Sequence, residues 1–157
     1  MAYQTIRDLV RHIRSLHHRL RDAVREAQAR AEDSEDTEDE RSALLLSVID
    51  EHESALERAV ELAEQEGGDR VLDTWLQFDP NAQTERALRQ GNSAASMSRH
   101  ELLTHVLETD NAIIRLYELV QGSSGSPSVQ SFFASLRQIE DSAVRRAARI
   151  ELEARDV

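Results

Sequence analysis

The stretch IRDLVRHIRSLHHRLRDAVREAQA, residues 6–29, decides the fold. Its apolar residues Ile6, Leu9, Val10, Ile13, Leu16, Leu20, Ala23, Val24 and Ala27 are spaced by threes and fours, so a helix gathers them into one stripe with the charges opposite. The strict alternation of a half-buried strand is absent. The pattern predicts a helix over about 3–31, and His17 sits inside its apolar row, between Ile13 and Leu20.

Working outward, Glu32 to Glu40 contains no apolar residue, and Thr37 followed three later by Glu40 has the spacing of a capping box, so the chain turns there. A second helix follows over about 38–66, with its stripe at Leu45, Val48, Ile49, Leu56, Ala59 and Ala63 and with Gly67-Gly68 as its C-cap. Residues 67–96 read as a crossover containing a short helix in the apolar piece from Val71 to Phe78, stopped by Pro80. Trp75 and Phe78 are expected to plug one end of the molecule or a helix seam. A third helix over about 97–121 uses Leu103, Val106, Ile113, Tyr117 and Val120 and ends in the run from Gly122 to Pro127. The fourth, over about 127–155, uses Val129, Phe133, Leu136, Ala143, Ala147 and Ile150 and tolerates Pro127 in its first turn. Short turns within each pair and one long connection between pairs predict a single domain, 1–157. Its architecture is an all-α antiparallel four-helix bundle with a lengthwise crossover.

Composition narrows the chemistry. The 157 residues include no cysteine, which excludes disulfides, thiolate nucleophiles and cysteine-ligated metals. All 19 basic residues are Arg, so Schiff-base chemistry and a P-loop lysine are excluded too. A net charge of −11 works against nucleic acid, including a DNA-shielding role, and against anionic membranes. No segment approaches the roughly 18 continuous apolar residues of a membrane span, and no leader opens the chain, so a cytoplasmic location is expected. Residues 1–31 hold seven Arg against three acids, whereas residues 32–66 hold fourteen acids against two Arg. That contrast predicts ion pairs across the first hairpin. An alternative is an Arg-rich face on the first helix that docks a partner. No serine lies in a Gly-x-Ser-x-Gly context, so acyl transfer has no support.

One ionisable group interrupts each predicted stripe: His17, His52, Asp110 and Glu140. They stand near the midpoints of their helices, so an antiparallel bundle brings all four to one depth. Glu53 flanks His52, while Glu101, His105 and Glu108 flank Asp110 as further donors. His18, about 100° round the helix from His17, is expected in solvent. Two imidazoles and two or three carboxylates are ligands that iron, manganese or zinc accept. A second reading needs no metal: the same groups pair as a buried polar layer that fixes helix register.

Helix pair, long crossover, helix pair, with acids and histidines meeting at mid-length, resembles the ferritin-like superfamily that includes rubrerythrins and bacterioferritins. In that family a carboxylate from the first and third helices joins a Glu-x-x-His motif on the second and fourth to hold two irons. The resemblance implies that Asp110 is the third-helix carboxylate and that Glu53 and Glu140 are the motif glutamates. Leu56 and Ala143 stand where the motif histidines belong, and His17 replaces the first-helix carboxylate. The expectation is an atypical site of His17, His52, Glu53, Asp110 and Glu140 for one divalent ion (Fe, Mn or Zn) in a homodimer. The alternative is a metal-free, degenerate ferritin-like bundle that acts as a dimeric interaction or stress-associated protein.

Overall fold

The computed structural model describes residues 5–32, 37–76 and 98–155. Those residues are helical almost throughout: α1 Ile6–Glu32, α2 Thr37–Glu66, α3 Gly68–Leu72, α4 Arg99–Ser123 and α5 Pro127–Arg155. The one extended feature among them is an isolated antiparallel bridge between Thr5 and Trp75. No helix among the described residues is long and apolar enough to cross a membrane.

Local chemistry sets the helix ends. Ser98 Oγ accepts from the Glu101 amide at 3.3 Å while Glu101 Oε2 accepts from the Ser98 amide at 3.4 Å, a capping box that starts α4. Pro127 opens α5 as expected. α2 stops at Gly67-Gly68 as predicted, because Gly68 holds φ at 72° and a Cβ on Gly67 would lie 2.8 Å from the Phe132 ring.

The long helices pack lengthwise. Ion pairs Arg7–Asp69, Arg14–Glu64, Arg21–Glu57 and Arg25–Asp50 run in opposite order along α1 and along α2 with α3, so the first two helices are antiparallel. The predicted charge pairing across the hairpin is therefore present. One apolar cluster joins Ile6 to Leu16 with Val60, Ile113 to Val120 and Val129 to Leu136. The other joins Leu20 to Ala27 with Leu46, Ile49, Leu102 to Val106 and Ala147. This register makes α1 antiparallel to α4, so α2 and α4 run the same way, and Glu66 and Arg99 lie at opposite ends of the molecule. A lengthwise crossover requires that relation. Most of the predicted crossover, including Phe78, Pro80 and the polar stretch to Ser93, lies outside the described residues, as do the side chains of Leu45 and Ile150.

Three expectations need correction. Among the described residues the short helix of the crossover is Gly68–Leu72, which starts before Val71 and stops at Leu72, since Asp73 and Thr74 turn the chain toward Thr5; residues 77 and 78 of the expected piece lie outside the described residues. Trp75 is 67% exposed instead of plugging the end of the molecule; its backbone is held in the bridge to Thr5 while its ring projects outward. On α2 the buried row is Leu46, Ile49, Glu53, Leu56 and Val60, whereas Val48, Ala59 and Ala63 are half-buried. The helix is rotated from the expected stripe, which puts Glu53 in the core and His52 at its edge.

Candidate metal centre

His17 from α1, His52 and Glu53 from α2, Asp110 from α4 and Glu140 from α5 meet in the layer between the two apolar clusters. The sequence places them there because each stands in a row of apolar residues: turning those rows inward turns these groups inward with them. The residues His17, Glu53, Asp110 and Glu140 are 0–1% exposed, and 7% of the His52 side chain is exposed.

Imidazole and carboxylate alternate around a closed circuit. His17 Nδ1 is 2.6 Å from Glu53 Oε2, and Glu53 Oε1 is 3.7 Å from His52 Nε2. His52 Nε2 is 2.8 Å from Asp110 Oδ2, and Asp110 Oδ1 is 3.7 Å from His17 Nδ1. Glu140 lies outside this circuit, on the far edge of the His17 ring, with Oε1 2.6 Å from Nε2. Tyr117 donates its hydroxyl to the same oxygen at 3.4 Å. In the sequence Tyr117 reads as an apolar position of its row; the signal for its further part is a phenol on a buried row, which needs a partner for its hydroxyl.

The circuit holds protons tightly. Both nitrogens of His17 sit at charge-assisted hydrogen-bond distance from carboxylates, and a ring donates from both only as imidazolium. Burial works against that charge, but Glu140 and Glu53 together outweigh it and hold the His17 pKa well above its usual range. Burial, then the charge of Asp110, pushes Glu53 well above the usual carboxylate range against the pull of His17. Burial also raises Glu140, again against His17, and Tyr117 is raised by burial and by Glu140.

The flanking candidates lie elsewhere. Glu101 caps α4, and Glu108 is exposed. His105 is buried with Nε2 lacking a partner, and burial lowers its pKa, but no short contact among the described residues ties it to the circuit. His18 is exposed as expected and pairs with Glu57 at 3.0 Å.

Three carboxylate oxygens, Glu53 Oε1, Asp110 Oδ1 and Glu140 Oε2, are buried without a hydrogen-bond partner. Buried polar atoms of this kind are costly, and each needs a reason. Donor atoms of His17, Glu53 and Asp110 all lie within 4.8 Å of one another. Ligands about 2.0–2.2 Å from a tetrahedral ion stand roughly 3.4 Å apart. The two 3.7 Å edges of the circuit are close to that spacing. The donor set fits a divalent cation, with small closing movements and loss of the proton on Nδ1. No family model, curated protein or solved structure matches the chain.

Proposed function

We propose that the chain is a ferritin-like four-helix bundle that binds one divalent ion, iron, manganese or zinc, at a mid-length site made by His17 Nδ1, His52 Nε2, Glu53 and Asp110. The observation that carries this reading is the pair of buried, unpartnered oxygens Glu53 Oε1 and Asp110 Oδ1, each 3.7 Å from an imidazole nitrogen, the first from His52 on the same helix and the second from His17 on α1. Glu140, backed by Tyr117, then holds the opposite nitrogen of His17 and fixes the ring's orientation, the carboxylate–histidine arrangement found behind many metal ligands. The bound ion supplies Lewis acidity. The two nitrogens and two carboxylates suit zinc, iron or manganese better than calcium or magnesium.

Protein purified without added metal, and the same protein after chelation, is titrated with Fe²⁺, Mn²⁺ and Zn²⁺ and analysed for elemental content. One ion per chain is expected, with His52→Ala and Asp110→Asn each losing it. Protein that ignores all three metals removes the reading. A second reading, a metal-free layer in a dimeric interaction protein, is favoured by the contacts of 2.6 and 2.8 Å that already pair every ligating nitrogen. Sedimentation at several concentrations tests the dimer separately.

A further inference from the structure

Among the described residues His52 is the member of the circuit that lines a surface cavity. It lines a cleft of 490 Å³ over α2, flanked by Arg25 of α1 and Arg146 of α5. Its Nε2 is committed to Asp110, and its Nδ1 has no partner among the described residues. Arg25 is committed to Asp50 at 2.8 Å. Arg58 and Arg146, both exposed, make no ion pair or hydrogen bond among the described residues. Ser54 Oγ, on the same cleft, is buried and also unpartnered. With Asp50 and Glu51 the acids on the wall among the described residues, three guanidiniums face two carboxylates there, in a chain whose net charge is −11.

We propose that this cleft binds a small oxyanion, gripped by Arg58 and Arg146 and set against the open edge of His52. Planar guanidiniums match the paired oxygens of phosphate and carboxylate, and a hydroxyl and a ring nitrogen supply neutral hydrogen bonds beside them. The anion stands one side chain away from the buried circuit, where it can serve as an outside ligand or counter-charge to the ion. That last role rests on the metal reading above; the anion site itself does not.

The test is calorimetric titration of inorganic phosphate, and separately of acetate, into chelated protein and into zinc-loaded protein at fixed ionic strength. Wild type is expected to bind at least one of the two anions, and the R58Q/R146Q double variant to bind it at least tenfold more weakly, with its helical circular dichroism unchanged. Preference for phosphate or for acetate identifies which oxyanion chemistry the cleft takes. Equal affinity in wild type and double variant, or no binding of either anion in either form, overturns the proposal. Arginine-dependent anion binding by protein that takes up no metal upholds the cleft and removes the metal reading, so the two fail separately.

Discussion

His17 donates from both ring nitrogens only while it carries two protons, so its partners and its charge are set together. Its raised pKa means that the folded metal-free chain retains a proton that the unfolded chain releases. Stability from this group is complete below the ordinary histidine value near 6.5 and is lost as pH rises through the folded value. Glu53 acts in the same direction from 4.5 upward. His12 and His105, lowered mainly by burial, weaken the fold only on acidification below 6.5. Metal-free protein is therefore expected to lose stability as pH rises from 6.5 toward the folded His17 value, by up to about 1.4 kcal/mol per pH unit for each proton retained. Urea midpoints across that range check it, and His17→Gln should flatten the slope. Because an ion must displace the Nδ1 proton, zinc affinity is expected to rise over the same range. Glu140→Gln should cost about 10–100-fold in zinc affinity, and Tyr117→Phe less, both read by competition with a chelating dye. At this scale the residues were legible in sequence, since a charge on an apolar row is conspicuous. The division between Glu53 in the circuit and Glu140 behind His17 was not, because it depends on which ring edge each helix faces.

Helix by helix, legibility followed how sharply charge bounds the apolar row. On α1 every predicted stripe residue is buried, because Arg and acid crowd both flanks. On α2 the run Leu44-Leu45-Leu46 and the adjacent pairs Val48-Ile49 and Ala59-Val60 admit two phases, and contacts with α1 and α5 choose between them. The choice moved Glu53 to full burial and left His52 at the edge. The ends of the elements carry their own predictions. Ser98→Ala removes the box that starts α4 and should cost about 1 kcal/mol. Gly67→Ala drives a methyl against Phe132 and the Ala63 carbonyl, at 2.8 and 2.9 Å, and should cost about 1–3 kcal/mol. Denaturant unfolding of the two variants measures both losses.

For the molecule as a whole, two apolar clusters sandwich a charged layer, and the cost of that layer is spread over four helices. Replacing His17, Glu53, Asp110 and Glu140 together by Leu or Met is expected to raise metal-free stability by about 1–4 kcal/mol while abolishing ion uptake. A destabilised variant would mean that the layer is needed for the fold. The helix order and the common depth of the polar groups followed from spacing alone, whereas Trp75 did not: a large aromatic reads as core until its backbone is seen held by Thr5. It is also the chain's single tryptophan. An indole 67% open to water emits much as it does in the unfolded chain, so fluorescence will report denaturation of this protein poorly. The same probe stands ready for a different measurement, in which a blue shift or lost quenching by iodide marks the moment something settles over that end of the molecule.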